Sequence, residues 1–388
     1  MLAPIACALA RAGRPFTFLA LTTARAALSR FGIRSIGFSD LNEATDPEAQ
    51  RWGRELAIPL TTGTAVPIEE SIAYLGASFR DLVDECGEVE ARRRYAEGGR
   101  QAFLPVATLR RFISRISPSL VIATNSPRAE RAAILAAGQL GIPSVCAVDL
   151  FALKEVQWIG QAGYATRVCV LNENVRRMLL SHGRTQDEVI VTGNPAFDPL
   201  TAPETIEAGL KLRTQRGWDD GRKVILWASQ VEPLKHPFAN LAGDPNLPRE
   251  VEATLRDFVK SNPGFHLVVR YHPSERVDFI GAPSVEFSPV SEPIASLLHA
   301  VDLVVVTAST VGLEASIAGR PVVSVDMSLF TSDTEYSKLG ISYGVNSLQE
   351  IGPAVIKMVA KSRHELAGCS PSGSATSEVM KVIDSLSF

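Results

Sequence analysis

From residue 119 onward the chain repeats one hydropathy pattern. A short unbroken apolar run is followed by a turn of small or polar residues, then by a stretch whose apolar positions recur three and four apart. Such runs, bounded by turn residues, predict buried strands, and the longer spacing predicts helices. Ser119–Thr124, Ile142–Val148, Arg167–Leu171 and Glu188–Thr192 read as strands, with helices over Pro127–Leu140 and Glu173–Ser181. After a polar linker from Asn194 to Trp218, marked by Pro195, Pro199 and Pro203 and ending in a helical piece, the alternation restarts. Strands Val224–Ser229, His266–Arg270, Val285–Phe287, Leu303–Val306 and Val322–Val325 are interleaved with helices Pro248–Lys260, Pro293–Ala300 and one carrying Gly312, Glu314 and Ala315. Strands rich in Val, Ile and Leu between helices indicate parallel sheets covered on both faces. The fold class expected is therefore α/β, with two Rossmann-like domains facing a cleft: residues 1–200, and residues 201–388.

The first hundred residues fit this less regularly. A helix over 2–12 is followed by strand Phe16–Ala20, helix Thr23–Phe31 and strand Ser35–Phe38. Ser39 to Pro67 reads as a long polar loop, and 68–115 as two or three helices. A doubly wound domain ordinarily opens with a strand and a glycine-rich turn before its first helix. Here Met1 stands at the head of the helix, so the first strand is expected to be missing, and a start upstream is the explanation favoured.

Composition narrows the function. The chain has 388 residues, 46% of them hydrophobic, enough for two cores. Its net charge of -3 supplies no basic field, so nucleic acid is not an expected partner. Arg92-Arg93-Arg94 lies in a charged helical pattern and reads as a solvated face. The five cysteines, Cys7, Cys86, Cys146, Cys169 and Cys369, are scattered without CxxC spacing, which predicts neither a disulfide framework nor a zinc site. Cys146 and Cys169 fall inside apolar strands as small core residues. No apolar run reaches the roughly 18 residues of a membrane span, and Arg11 and Arg14 follow the apolar start instead of preceding it, unlike a secretory signal. A cytoplasmic protein is expected, with room for loose peripheral association with a membrane.

The candidate chemistry is concentrated between Ala300 and Ser328. Strand Leu303–Val306 runs into Thr307-Ala308-Ser309-Thr310 at the head of a helix, and Gly319-Arg320-Pro321 stops that helix before the next strand. Free N–H groups at a helix start, with the positive end of its dipole, suit a phosphate. Glu314, one turn in, is placed to accept hydrogen bonds from ribose hydroxyls. Plain N-capping would use the same Thr307, Ser309 and Thr310, and the two roles are compatible. Arg270 and His272 stand at another strand's C-terminal end, where open α/β sheets bind ligands. Alternation along a strand turns only one of them toward such a ligand. Ser229-Gln230 end a third strand and could touch phosphate or sugar, or simply form a turn. On the first domain, Asn125-Ser126 open a helix at Pro127 and suit an acceptor, with capping as the plainer role. Asp149 closes the next strand as a candidate base, and His236 on the loop 232–247 is another. No DxD-like pair marks a metal site, and no cofactor is expected.

These residues resemble the two-domain nucleotide-sugar glycosyltransferases of the GT-B fold, in particular the bacterial cell-envelope and capsule branches, which share the fold with UDP-N-acetylglucosamine 2-epimerases. Leu2 to Leu19 resembles the family's first helix and second strand without its glycine-histidine turn. Val189–Pro195 with Asp198 is similar to the segment that crosses between domains, and Thr307–Pro321 to the nucleotide-binding helix, with Glu314 at the ribose-binding glutamate. Arg270-Tyr271-His272-Pro273 looks like the Arg-x-His-Pro element of capsule and teichoic-acid transferases, and less like the His-Arg-x-Glu-Asn element of an epimerase. The resemblance implies a metal-independent transferase moving sugar from a UDP-, CMP- or CDP-linked donor to a glycan or lipid-linked acceptor hydroxyl. His272 and Asp149 would be catalytic; Ser229, Gln230, Arg270, Thr307, Ser309, Thr310 and Glu314 would hold the nucleotide. Two alternatives stand beside it: a nucleotide-sugar 2-epimerase, and a non-catalytic nucleotide-sugar-binding or partner subunit.

Overall fold

A computed structural model describes residues 1–21, 23–59, 66–236, 239–360 and 374–386. Two compact units emerge, Met1–Ala196 with Pro371–Phe388, and Phe197–Ser370. The first opens with helices α1 (Leu2–Arg11), α2 (Ala24–Ser29), α3 (Pro47–Ala57), α4 (Ile68–Cys86), α5 (Glu88–Gly98) and α6 (Val106–Ile116). It continues through β1 (Val121–Thr124), α7 (Ala129–Gln139), β2 (Ser144–Ala147), α8 (Val156–Ile159), β3 (Arg167–Val170), α9 (Glu173–Ser181) and β4 (Val189–Val191). The second unit runs α10 (Pro203–Gln215), β5 (Lys223–Ala228), α11 (Leu247–Ser261), β6 (Phe265–Arg270), β7 (Val285–Phe287), α12 (Ile294–Ala300) and β8 (Leu303–Val306). It then adds α13 (Thr310–Ile317), β9 (Val322–Val325), α14 (Thr331–Thr334), β10 (Tyr343–Val345) and α15 (Ile351–Val359), while α16 (Ala375–Leu386) belongs with the first unit.

Both sheets are wholly parallel. The first has the order β1-β2-β3-β4, in register Val121 to Ser144, Val145 to Arg167 and Val168 to Val189. The second has the order β10-β9-β8-β5-β6-β7. Its strands are buried on both faces because they are apolar at consecutive positions: Leu303 to Val306 are all inaccessible. Trp227 lies fully buried in β5, among Ile225, Leu255, Leu267 and Val305. Burying such a side chain contributes on the order of 2–3 kcal/mol. The chain reverses its direction of travel across this sheet between β5 and β8. In open α/β sheets, ligands bind outside the carboxyl ends of the strands on either side of such a switch point.

Four sequence expectations need correction or completion. The expected loop over 39–67 contains α3, capped by Asp46, whose side chain accepts from the Ala49 amide at 2.9 Å, with Pro47 as the first helical residue. Its inner face is a single large side chain, Trp52, flanked by the small residues Ala49, Gly53 and Ala57, too sparse a pattern to read as apolar. Those glycines let α3 and α4 nearly touch: a Cβ on Gly53 would lie 2.2 Å from the Ile72 carbonyl oxygen, and one on Gly76 2.0 Å from that of Ala49. Residues 60–65 of that expected loop lie outside the described residues. Strands Phe16–Ala20 and Ser35–Phe38 shrink to a single parallel bridge between Leu19 and Ile36, and Phe38–Asp40 turns into a 3-10 helix.

The strand that ordinarily opens such a domain, and that the sequence suggested was missing, has no counterpart among the described residues. Beside β1, which is hydrogen-bonded to β2 alone, lies a cavity of about 1020 Å³ lined by Leu2, Ile5, Leu19, Phe112, Val121 and Ile122 among others. Lastly, the tail does not stay with the second domain as a 201–388 boundary requires. α16 packs on α1 through Val379, Val382 and Ile383, which join Ile5, Val145 and Cys169 in one apolar cluster. The C-terminal apolar face is buried there instead of on its sequence neighbours. Cys146 and Cys169 are buried as expected, and burial pushes the Cys169 thiol up to about 12; Cys369 lies outside the described residues.

Candidate nucleotide site

The end of β8 and the start of α13 form the centre of the candidate site on the second unit. β8 delivers Thr307 buried, with its hydroxyl oxygen shielded from solvent and without a hydrogen-bond partner among the described residues. A buried hydroxyl left unpaired costs about 1–3 kcal/mol, so Thr307 carries an unmet hydrogen bond at the end of β8. Ser309 is the N-cap of α13, its hydroxyl accepting from the Val311 amide at 3.3 Å. Thr310 is exposed. The helix start is held from the far side by Tyr336, whose hydroxyl donates to the Ser309 carbonyl at 3.0 Å. Gly312 permits this closeness, since a Cβ there would meet Val306 Cγ2 at 2.9 Å and the Tyr336 ring at 3.2 Å.

Glu314, one turn into α13, is half-buried and makes no hydrogen bond among the described residues. Burial pushes its carboxyl above the ordinary glutamate range, with the Arg270 charge acting the other way. The Tyr336 hydroxyl is also pushed up, by burial first and by the Glu314 charge second. An unpaired carboxylate in a partly desolvated place is an acceptor waiting for donors.

Arg270, at the end of β6, is close enough to Glu314 for their charges to interact, yet its guanidinium is already engaged. It donates to Ser288 Oγ at 3.0 Å and to the carbonyls of Pro289 at 3.0 Å, Glu292 at 2.9 Å and Val290 at 3.2 Å. Burial lowers its pKa, though far too little to discharge a guanidinium. Arg270 thus fixes the 288–292 loop and sets the local potential. His272 behaves differently. It is exposed; its Nδ1 accepts from the Ser274 amide at 3.1 Å and its own amide donates to Glu275 Oε2 at 2.7 Å. With Nδ1 occupied as an acceptor, the neutral ring carries its proton on Nε2, which is free to donate outward.

Ser229 and Gln230 end β5 on the other side of the switch point. Ser229 is locked: its hydroxyl donates to Glu275 Oε1 at 2.9 Å and accepts from Arg249 Nη2 at 2.8 Å. Gln230, half-buried, has no partner among the described residues. Beyond it, Glu232 is buried and accepts from Ser328 Oγ and the Leu329 amide, each at 2.7 Å, tying the loop after β5 to the loop after β9. His236 is buried on the same loop with Nε2 2.9 Å from Asp333 Oδ2. The structure thus gathers Gln230, Arg270, His272, Thr307, Ser309, Thr310 and Glu314 at adjacent strand ends, and adds Tyr336, Arg249 and Glu275, which the sequence reading did not single out. A Tyr 27 residues from the cap it supports leaves no local signal.

On the first unit, Asn125 is buried at the end of β1, its Oδ1 accepting from the Asp149 amide at 3.0 Å. Asn194 Nδ2 donates to the Asp149 carbonyl at 2.7 Å, so both asparagines brace the exit of β2. The Asp149 side chain is exposed, with Oδ1 accepting from the Leu150 amide at 2.8 Å. Ser126 is half-buried just before α7. Among the described residues no group of three or more His, Cys, Asp or Glu could hold a metal ion, and no helix is long and apolar enough to cross a membrane.

Two parallel-sheet units of this kind, the second with its switch point between β5 and β8, define the GT-B type of fold. That fold is shared with nucleotide-sugar enzymes of known structure. The chain is similar to the UDP-GlcNAc 2-epimerase of Methanocaldococcus jannaschii, with a TM-score of 0.59 at 12% identity over 99% of this chain and 96% of that one. It is similar to the UDP-GlcNAc 2-epimerase of Neisseria meningitidis solved with UDP-GlcNAc, with a TM-score of 0.56 at 16% identity over 99% and 96%. The kitacinnamycin glycosyltransferase matches with a TM-score of 0.57 at 13% identity, over 100% of this chain and 95% of that chain. No protein-family model and no curated protein matches the sequence.

Proposed function

We propose that the protein is a glycosyltransferase that binds a nucleotide-activated sugar on its second unit and passes the sugar to an acceptor hydroxyl in glycoconjugate or polysaccharide synthesis. The observation that carries this reading is the pairing at the end of β8 of an unpartnered buried hydroxyl, Thr307, with an unpartnered half-buried carboxylate, Glu314, one helical turn on. The start of α13 offers its dipole and the Thr310 amide to phosphate, the Val311 and Gly312 amides being engaged by Ser309, and the carboxylate offers oxygens to ribose hydroxyls. As the sugar leaves, the bond electrons go to the departing nucleotide phosphate. The His272 Nε2–H and the helix start then stabilise the charge that develops there. Asp149 is the candidate base that takes the proton of the acceptor hydroxyl, with Asn125 and Ser126 on the acceptor side. Arg270 and Ser229 act as positioning residues, since their polar atoms are already engaged. The donor would be UDP-, CMP- or CDP-linked, the acceptor a glycan or lipid-linked glycan, and the cytoplasm the compartment where both meet.

A second reading is supported by the solved 2-epimerases with the same fold. In such an epimerisation the nucleotide would leave and return on one sugar, and a base would also have to remove the proton at C2. A third is a subunit that binds a nucleotide sugar without turning it over. Incubation with UDP-, GDP-, CMP- and CDP-sugars, followed by measurement of free nucleotide and recovery of the sugar, separates them. Nucleotide released with a glycosylated acceptor supports transfer, and a sugar inverted at C2 supports epimerisation. Binding without turnover supports the third. Absence of nucleotide binding altogether overturns all three.

A further inference from the structure

The first unit holds a second cavity, of about 290 Å³, that the nucleotide reading leaves unused. Ser126 and the first residues of α7 line it beside the carboxyl end of β1, together with Tyr74, Arg100, Arg128, Glu70 and Glu130. Its volume is close to the lower end of ligand pockets, large enough for one small polar molecule.

The chemistry of the lining is specific. Arg100 and Arg128 are both half-buried, and neither guanidinium has a hydrogen-bond or ion-pair partner among the described residues. Elsewhere in this unit most arginines are paired, as Arg92 is with Glu55 and Glu88 and Arg115 with Glu43, or exposed to water, as Arg34, Arg54 and Arg110 are, while half-buried Arg131 lies over the Trp158 ring 4.8 Å from its centre. A guanidinium does not shed its charge when buried, so two of them at one cavity without anions is an incomplete arrangement.

The two carboxylates of the lining do not complete it. Glu70 is turned to the backbone, accepting from the Phe38 amide at 2.7 Å, the Ser39 amide at 3.0 Å and the Ser39 hydroxyl at 2.7 Å. Glu130 sits in the first turn of α7, where the helix dipole favours it. It makes no hydrogen bond among the described residues, which leaves it free to accept ligand hydroxyls. Burial pushes the Tyr74 hydroxyl up, and the charges of Arg128, Glu130 and Arg100 all act on it, so these groups share one local field.

We propose that this cavity binds a small phosphate-bearing polyol or sugar, with Arg100 and Arg128 holding the phosphate oxygens and Glu130 and Ser126 meeting the hydroxyls. Two guanidinium forks suit a tetrahedral oxyanion, and the free carboxylate suits the hydroxyl end of the same molecule. In calling this molecule the acceptor, the inference rests on the transferase reading; as an anion site it stands without it.

The test is calorimetric titration of the full chain with glucose 6-phosphate, with inorganic phosphate and glucose as the partial ligands. The variants are Arg100→Gln, Arg128→Gln, the double variant and Arg128→Lys. Glucose 6-phosphate is expected to bind more tightly than either partial ligand. Each single Gln variant is expected to weaken it at least about tenfold, Arg128→Lys by less, and the double variant to abolish it, all with unchanged thermal melting. Equal binding by wild type and the double variant, or no binding by wild type, overturns the proposal. UDP titrated into the same samples keeps the two readings apart. Arginine-dependent sugar-phosphate binding without UDP binding retains this site and removes the transferase reading; UDP binding without it does the reverse. Sedimentation with phosphatidylcholine vesicles, with and without phosphatidic acid, identifies the source of the phosphate. Arginine-dependent pelleting assigns it to a lipid headgroup, and sugar-phosphate binding without pelleting to a soluble ligand.

Discussion

Glu314→Gln separates a ligand group from a structural one. The carboxylate is half-buried near Arg270, whose guanidinium is spent on the 288–292 loop, so no intramolecular bond is lost when the charge is removed. In a nucleotide complex, hydrogen bonds from ribose hydroxyls to a charged acceptor contribute about 1.5–3 kcal/mol each. Losing one such bond weakens UDP about 10- to 150-fold. Stability should move the other way. Burial raises the Glu314 carboxyl above its ordinary value of 4.5, so the folded chain holds this proton more tightly than the unfolded chain does. The stability linked to that proton is present below the ordinary value and is lost as pH rises through the raised one. Wild type therefore loses stability against the Gln variant over that window, and the variant melts at an equal or higher temperature near neutral pH. Calorimetric titration with UDP, paired with melting curves between acid and neutral pH, reads both effects. Unchanged UDP affinity in a folded Glu314→Gln protein refutes the assignment of the site.

Four further outcomes are expected. His272→Ala should lower kcat by about 10²–10³-fold with little change in KM, because it removes a donor to charge that develops only in the transition state; equal loss in both would reduce His272 to substrate positioning. Gly312→Ala places a Cβ 2.9 Å from Val306 Cγ2 and 3.2 Å from the Tyr336 ring, and should destabilise by about 1–3 kcal/mol in chemical denaturation. Tyr336→Phe keeps the ring but frees the Ser309 carbonyl, and should cost about 1 kcal/mol of stability and a few-fold in UDP affinity. Arg270→Ala leaves three carbonyls and the Ser288 hydroxyl without their donor, and should lower the melting temperature more than any other change at the site.

The two sheets were legible because parallel strands buried on both faces need unbroken apolar runs, and Leu303–Val306 or Val145–Val148 have no other simple reading. Elements whose packing depends on small residues were not. The inner face of α3 carries Ala49, Gly53 and Ala57, and what makes it a core face is the backbone of α4 lying almost against it. β10 is only Tyr343, Gly344 and Val345, too short to show alternation, and it is a strand because β9 offers it an edge. The destination of α16 was equally hidden. Its spacing of Val379, Val382 and Ile383 predicts a helix with one apolar face, but nothing local tells which unit covers that face.

For the site, local rules carried the reading as far as position and no further. Ser309 before an apolar helix, and Glu314 a turn later, are readable because cap and first turn lie within a few residues of each other. Arg270 and Ser229 were placed correctly at strand ends, but a strand end says nothing about what a side chain is already holding. Their partners come from 288–292 and from Arg249 and Glu275, which fold back from well along the chain. The same distinction orders the chemistry. Of two oppositely charged residues close enough to interact, Arg270 at the end of β6 has its donors filled, whereas Glu314 in α13 accepts no hydrogen bond among the described residues. Hydrogen-bond vacancy, which no motif records, is what distinguishes the two, and it is on that vacancy that the proposed role of Glu314 rests.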